Sequence, residues 1–170
     1  SLKGVQAAVI KEYMAEGIDP SVKTVIETAV DELRAAGAEI HEISIPLLKK
    51  ALGAYYILVP AEVSSNLARH DGIRYGYSSP DATNLEETYV LSRQQGFGAE
   101  AKRRIMIGTY VLSSGYYDAY YKRAQKVRTL LINEFKQAFQ KYDVLLGPVA
   151  PTPAFKIGEK AADPVQMYLA

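Results

Sequence analysis

Basic and aromatic side chains are concentrated in one segment of the sequence, residues 100–128. Seven Lys and Arg residues stand there against two acids, Glu100 and Asp118, and five tyrosines lie among them. The basic residues are Lys102, Arg103, Arg104, Lys122, Arg123, Lys126 and Arg128, and the tyrosines are Tyr110, Tyr116, Tyr117, Tyr120 and Tyr121. These residue types and their spacing make this segment the best candidate for a binding function.

Three interpretations of this segment stay open on spacing alone. Arginines that contact phosphate and tyrosines that stack on bases would form a nucleic-acid surface. One arginine that forks onto a small anionic ligand, with tyrosine hydroxyls holding the rest of it, would form a carboxylate pocket. Two solvated helix faces with half-buried tyrosines would need no ligand at all.

Two other pairs of residues could do chemistry but lack the necessary partners. Ser64 and Ser65 have no G-x-S-x-G elbow around them, and nothing near them in sequence supplies a base or an oxyanion hole. We expect them to have a structural role at a helix end or turn. His41 and His70 have no second ligand at metal-binding spacing, so we expect exposed structural histidines.

The composition excludes several classes of protein. The 170 residues are 48% hydrophobic and 23% charged, which is typical of one ordinary globular domain. The net charge of +1 excludes binding of nucleic acid or membrane through the charge of the whole surface. The absence of Cys excludes disulfides and thiolate metal sites, and no apolar run approaches the length of a membrane span. We therefore expect a soluble, cytoplasmic protein.

Residues 1–46 have the pattern of a βαβ unit. The nearly continuous apolar run at 5–10 predicts a strand covered on both faces. Asp19-Pro20 predicts a capped helix start, and Gly37 predicts its end in the left-handed conformation. A second strand follows at 38–45. Strand, helix and strand with short links predict a parallel crossover.

Residues 47–143 predict a helical segment that holds the candidate pocket residues. We expect helices at 47–67 (interrupted by Pro60), at 84–93 (capped by Asn84, with Glu87 as in a capping box), at 100–113 and at 116–142. Residues 71–83 predict a loop. Residues 144–170 predict a short buried strand followed by a Pro-rich tail, the whole chain being one truncated domain.

The element count predicts that this chain is an excised piece of a larger α/β protein. Three strands are too few to cover this many helices. The apolar end at 165–170 also carries no capping residue.

Many short runs along the chain resemble one known family. They lie at 55–56, 60–62, 64–69, 71–76, 96–98, 102–105, 108–110, 114–121, 125–130, 147–148 and 151–155. Together they resemble the A (glutaminase) subunits of the bacterial Glu-tRNA(Gln)/Asp-tRNA(Asn) amidotransferases, within the amidase signature family. The Tyr-Tyr-Asp-Ala-Tyr-Tyr run at 116–121 is typical of these subunits rather than of amidases at large. The resemblance implies an α/β fold that is a fragment of the amidase signature fold.

The resemblance also implies roles for particular residues. Arg104 matches the arginine that binds the α-carboxylate of glutamine, and Tyr55 matches a tyrosine that lines the same pocket. The lysine and two serines of the family's catalytic machinery lie in a Gly/Ser-rich signature segment that nothing here reproduces. An aspartate that would hold the α-amino group falls just past Ala170. We therefore expect substrate-binding residues but no catalytic residue, and no activity of this chain alone.

For the intact enzyme, the resemblance implies hydrolysis of glutamine to glutamate and ammonia. The ammonia would pass to a second subunit of the heterotrimer, which uses ATP and Mg²⁺ to amidate the misacylated tRNA. We expect no cofactor in this chain, contact with tRNA only through the complex, and no membrane contact. Two alternatives remain: a fragment of another amidase signature hydrolase, and a non-catalytic module that docks tRNA or a partner. Arg104 favours the glutamine-hydrolysing subunit over a hydrolase of neutral amides, because free glutamine has a carboxylate and a neutral amide does not.

Overall fold

The computed structural model describes residues 1–15 and 17–159. These residues form two compact units. One comprises Ser1–Lys49 together with the described residues from Ile132 onward, and the other is Lys50–Leu131. The division predicted from sequence, at residues 46 and 143, stays a prediction. The apolar end at 165–170 lies outside the described residues.

The first unit is built on a three-stranded parallel sheet. Its strands are β1 (Gln6–Ile10), β2 (Glu39–Ile43) and β3 (Val144–Leu146), in the order β2-β1-β3. The helix α1 (Pro20–Ala35) connects β1 to β2, and both neighbours of β1 run parallel to it. The predicted βαβ crossover and the presence of a third strand are therefore confirmed. The expectation that this strand is buried is wrong, since Val144 is exposed and Leu145 and Leu146 are only partly buried. The central strand, β1, is the most buried of the three, with Ala7, Ala8 and Ile10 buried, as expected for a strand covered on both faces.

The two ends of α1 follow the predicted capping residues. The Asp19 carboxylate accepts a hydrogen bond of 2.8 Å from the Ser21 N–H, and Pro20 occupies the first helical position. Gly37 follows the helix with a φ of +103°, the left-handed conformation that ends helices. Pro151 O accepts a 2.8 Å hydrogen bond from the Asp19 N–H, which ties part of the Pro-rich segment to this helix start.

The second unit is helical. It contains α2 (Ala51–Leu67), α3 (Leu85–Gly96), α4 (Ala99–Leu112), a π-helical turn (Tyr117–Tyr121) and the first part of α5 (Lys122–Ala138). The expected interruption at Pro60 is wrong, since α2 continues through it. Pro60 and Ala61 are buried, and α2 packs on α4. This packing offsets the hydrogen bond that a proline removes from a helix interior.

The helix predicted at 116–142 starts where expected but is wrong at its C-terminal end. Its first turn is the π-helical turn, and α5 ends at Ala138. A distant contact stops the helix, because the Asp143 N–H donates to Gln6 O and the Asp143 carboxylate accepts from the Gln6 N–H, each at 2.8 Å. These bonds lead the chain into β3.

The start of α3 shows the predicted cap in a modified form. The Asn84 side chain accepts a hydrogen bond of 2.9 Å from the Glu87 N–H, as expected. The Glu87 carboxylate, however, accepts from the N–H and hydroxyl of Thr83, where a capping box would use the Asn84 N–H. The preceding segment is the predicted loop, and its backbone is tied to α3 by a 2.9 Å hydrogen bond from the Ser79 N–H to the buried Ser92 hydroxyl.

Candidate functional site

The helix α4 separates its three consecutive basic residues onto different sides. Lys102 donates to Gln94 O at 2.6 Å, and the Arg103 side chain is 59% exposed. The Arg104 side chain is only 25% exposed. It lies on the same face as the buried Gly108 and Val111, at the helical spacing of four and seven residues. The fold thus directs one of the three charges inward.

Arg104 meets Tyr55 where α4 packs on α2. The Arg104 Nη1 group donates a hydrogen bond to the Tyr55 hydroxyl at 3.4 Å. These two residues are 49 positions apart in sequence. Tyr55 is 40% exposed, so its ring stays accessible beside the guanidinium. The structure therefore brings together the two residues that the sequence resemblance assigned to one pocket.

Glu100 holds the other side of the Arg104 guanidinium. One of its carboxylate oxygens, Oε1, accepts from Arg104 Nε at 2.9 Å. Its second oxygen, Oε2, accepts from Arg103 Nη1 at 2.7 Å. Sequence reasoning counted Glu100 only as an acid in a basic segment. The signal that could have identified it is its spacing of three and four residues from the two arginines on one helix.

A groove of about 510 Å³ opens beside Tyr55 in the second unit. It is lined by α2, the π-helical turn and the first part of α5. Its walls are Ala51, Ala54, Tyr55, Leu58, Val59, Glu62, Tyr121, Gln125, Arg128 and Leu131. The Gln125 amide donates to the Tyr121 hydroxyl at 3.0 Å. Largely apolar walls with a few polar groups among them suit a small polar molecule with an aliphatic stem.

The tyrosines of the basic segment pack against one another. The rings of Tyr110 and Tyr116 lie 4.2 Å apart, and those of Tyr116 and Tyr120 lie 5.9 Å apart. Tyr117 and Tyr121 form a second stacked pair, at 5.1 Å. A ring face that lies against another tyrosine is not available to a base. Tyr110, Tyr116, Tyr117 and Tyr120 are nevertheless exposed, so the stacking occupies part of each ring without burying it.

Two side chains in and next to this tyrosine cluster have pKa values that are shifted by their immediate neighbours. A hydrogen bond with Tyr116, followed by desolvation and the nearby Tyr116 and Tyr120 hydroxyls, raises the pKa of Tyr110 to about 12. Lys122 lies 5.6 Å from the centre of the Tyr117 ring and pairs with Asp118 at 2.7 Å. That pairing and the proximity of the Tyr117 hydroxyl raise the pKa of Lys122. Part of the basic charge is thus balanced within the helix itself.

The serines and histidines lie away from this arrangement. The hydroxyls of Ser64 and Ser65 donate back to Ala61 O at 2.9 and 3.2 Å, inside α2. His41 is exposed, as expected, with its Nε2 atom 2.7 Å from Gln6 Oε1. His70 is only partly exposed, contrary to the expectation, because it lies against neighbouring aromatic rings.

Two kinds of feature are absent from the described residues, 1–15 and 17–159. No three His, Asp or Glu side chains within them are grouped closely enough to hold a metal ion. Over the same residues, no helix has the length and apolar character needed to cross a membrane.

Curated relatives match nearly the whole chain. The A subunit of glutamyl-tRNA(Gln) amidotransferase from Latilactobacillus sakei subsp. sakei is 55% identical over 168 residues, which cover 99% of this chain and 34% of that protein. The same-named protein of Geobacter sulfurreducens is 56% identical over 168 residues, covering 99% and 35%. The chain therefore spans roughly a third of the length of the curated relatives it matches.

Solved structures and a family model agree with these relatives. The crystal structure of the A subunit of glutamyl-tRNA(Gln) amidotransferase from Thermotoga maritima matches with a TM-score of 0.68 and 35% identity, covering 99% of this chain and 31% of that one. A crystal structure described as an amidase has the same TM-score at 22% identity, covering 93% and 31%, and supports the fold alone. The resemblance and the α/β fold class predicted from the sequence are thus confirmed. The family model named Amidase matches residues 1–170, and the chain belongs to the amidase family.

Proposed function

We propose that this chain is a segment of the glutamine-hydrolysing subunit of a tRNA-dependent amidotransferase, and that Arg104 and Tyr55 bind the α-carboxylate of glutamine. The observation that carries the proposal is the 3.4 Å contact between Arg104 Nη1 and the Tyr55 hydroxyl. The resemblance assigned these residues to one pocket without using their distance in space. Their meeting between two packed helices is what a shared carboxylate site requires.

The chemistry of the pair suits an amino-acid carboxylate. A guanidinium is planar and permanently charged, so it can donate two parallel hydrogen bonds to the two oxygens of a carboxylate. The Arg104 side chain is 25% exposed, which reduces the screening of its charge by water. A tyrosine hydroxyl beside it can add a neutral hydrogen bond. The groove next to Tyr55 has apolar walls that suit the aliphatic stem of glutamine.

In the complete enzyme, glutamine held at this site would be hydrolysed to glutamate and ammonia by residues outside this chain. The ammonia would then reach a partner protein of the complex, where ATP and Mg²⁺ activate the misacylated tRNA for amidation. The role of this chain is to bind and orient the substrate. The names of the curated relatives support a component of an amidotransferase. The alternative of a hydrolase for neutral amides is disfavoured, because it would have no use for a directed guanidinium.

The test is the Arg104→Ala variant in a complete amidotransferase. The complete protein is either expressed from its own gene or made by replacing the matching segment of the Latilactobacillus sakei relative, which is 55% identical. Removal of one partner of a partly buried charge pair should lower kcat/KM for glutamine on the order of 10²-fold or more, mainly through KM. Amidation driven by free ammonia should persist, because ammonia bypasses the glutamine pocket.

Arg103→Ala is the matched control. Arg103 is adjacent in sequence, carries the same charge and pairs with the same Glu100 carboxylate, but its side chain is 59% exposed. Its removal should change kcat/KM for glutamine by less than about threefold. If Arg104→Ala left glutamine kinetics intact and abolished the ammonia-driven reaction, Arg104 would belong to assembly or tRNA contact, and the proposed pocket would be wrong.

A further inference from the structure

We infer that Glu100 is a positioning residue for glutamine, acting through Arg104 rather than on the substrate. This inference rests on the proposed function of Arg104. Glu100 and Arg104 lie one turn apart on α4, and Glu100 Oε1 accepts from Arg104 Nε at 2.9 Å. An arginine side chain has many rotamers, and each must be excluded before its guanidinium can meet a ligand in one orientation. The hydrogen bond with Glu100 restricts Arg104 to rotamers that keep this contact.

Two contacts of the guanidinium restrict which of its edges a ligand can use. Glu100 engages Nε on one side, and the Tyr55 hydroxyl accepts from Nη1 on the other. A carboxylate can fork either onto Nε and one Nη group or onto the two Nη groups. Because Glu100 engages Nε, a carboxylate could not fork onto Nε and one Nη group without displacing Glu100.

The charge of Glu100 makes this inference sharply testable. A carboxylate close to Arg104 opposes the binding of a second carboxylate, since the two like charges repel. If Glu100 acted on glutamine only through its charge, its neutralisation would strengthen glutamine binding. If Glu100 instead holds the guanidinium in its binding orientation, its neutralisation would weaken glutamine binding. The two effects have opposite signs.

The second oxygen of Glu100 provides an internal control. It accepts from Arg103 Nη1 at 2.7 Å, and both the Arg103 and Glu100 side chains are about half exposed. Removal of Arg103 breaks this pair but leaves the 2.9 Å contact between Glu100 and Arg104. A role in the stability of α4 would involve both arginines. A positioning role would involve Arg104 alone.

The first experiment measures steady-state kinetics of the complete amidotransferase with Glu100→Gln. We expect KM for glutamine to rise on the order of tenfold while kcat stays within about twofold, because the reacting groups are untouched. Arg103→Ala should leave KM within about twofold. A KM that falls or stays unchanged in Glu100→Gln would overturn the inference. If Glu100→Gln does not assemble, Glu100→Asp is measured instead, which keeps the charge on a shorter side chain. A raised KM for glutamine would then support the inference, and an unchanged KM would overturn it.

The second experiment asks whether Glu100 acts through Arg104. The double variant with Glu100→Gln and Arg104→Ala should have the same kcat/KM for glutamine as Arg104→Ala alone, since Glu100 then has no guanidinium to hold. A further loss of about tenfold in the double variant would show an independent role and overturn the inference. The wild-type enzyme, the two single variants Glu100→Gln and Arg104→Ala, and the double variant are then assayed with 4-aminobutanamide, which is glutamine without its α-carboxylate.

The analogue separates failure of this inference from failure of the proposed function. Both single variants should hydrolyse 4-aminobutanamide at the wild-type rate, because no carboxylate is present to be recognised. If Arg104→Ala impairs glutamine and the analogue equally, Arg104 does not bind the carboxylate, and the proposed function of the pair fails with the inference. If Arg104→Ala impairs glutamine alone while Glu100→Gln impairs neither substrate, only the inference about Glu100 fails.

Discussion

Gly108 of α4 lies directly against the backbone carbonyl of Pro60 in α2. A methyl group built on Gly108 would come within 1.9 Å of the Pro60 carbonyl oxygen and within 2.5 Å of its carbon. Gly108 is one helical turn after Arg104, and Pro60 lies a little more than one turn after Tyr55. The absence of a side chain at Gly108 therefore sets the closeness of the two helices at the point where the candidate pair meets.

This contact predicts that Gly108→Ala destabilises the protein. A backbone carbonyl inside a packed helix cannot move aside as a flexible side chain can, so the added methyl group must push the helices apart. We expect a loss of about 1–3 kcal/mol in the free energy of unfolding, measured by urea titration. The same variant should weaken the Arg104–Tyr55 contact and raise KM for glutamine in the complete enzyme.

Gly53→Ala is the control for this prediction. Gly53 lies in α2 with no atom within 4 Å of a methyl group built on it. Alanine is a better helix former than glycine, so this variant should gain about 0.5–1 kcal/mol in the free energy of unfolding. If Gly108→Ala were as stable as Gly53→Ala, the helices could not be as close as the structure has them.

A second prediction concerns the graded roles of Tyr55 and Arg104. Tyr55→Phe removes one neutral hydrogen bond and should cost about 1 kcal/mol, or roughly fivefold in kcat/KM for glutamine. Arg104→Lys keeps the charge but loses the planar fork, so it should recover only part of the activity lost in Arg104→Ala. Steady-state glutamine kinetics rank the variants. A Tyr55→Phe effect as large as that of Arg104→Ala would contradict the assignment.

The chain of 170 residues by itself should release no ammonia from glutamine. The Ser64 and Ser65 hydroxyls donate to Ala61 O within α2, which leaves neither one hydrogen-bonded to a base as a nucleophile requires. A coupled glutamate assay measures this directly. Hydrolysis above background that is abolished by Ser64→Ala or Ser65→Ala would overturn both the structural role of these serines and the expectation for the chain.

The tyrosine cluster makes a prediction about alkaline pH. The pKa of Tyr110 is raised from its ordinary 10.0 to about 12, first by the hydrogen bond with Tyr116. The folded state thus favours the neutral phenol. The stability contributed by this group is complete below pH 10 and is lost as the pH rises towards 12. Tyr116→Phe should lower the pKa of Tyr110, as followed by NMR titration of ring-labelled tyrosine.

Tyr117→Phe is the matched control for that titration. Tyr117 lies in the π-helical turn, next to Tyr116 in sequence, but its ring stacks on Tyr121 rather than on Tyr110 or Tyr116. Its loss should leave the Tyr110 titration unchanged. Equal shifts in the two variants would mean that general desolvation, rather than the hydrogen bond with Tyr116, controls the ionisation of Tyr110.

Features that depend on neighbouring residues could be predicted from the sequence. The cap at Asp19-Pro20, the left-handed Gly37 and the cap at Asn84 each act within a few residues, so short-range patterns suffice to predict them. The nearly continuous apolar run at 5–10 likewise predicted a strand covered on both faces. The runs of residues along the chain were also enough to indicate the family.

Features that depend on distant residues emerge only in the folded chain. Packing on α4 keeps α2 continuous through Pro60, and hydrogen bonds between Gln6 and Asp143 lead the chain out of α5 into β3. Local propensity carries no information on either contact. The meeting of Arg104 with Tyr55 has the same origin. It requires two helices to approach closely at a glycine, and that approach depends on the packing of the whole unit.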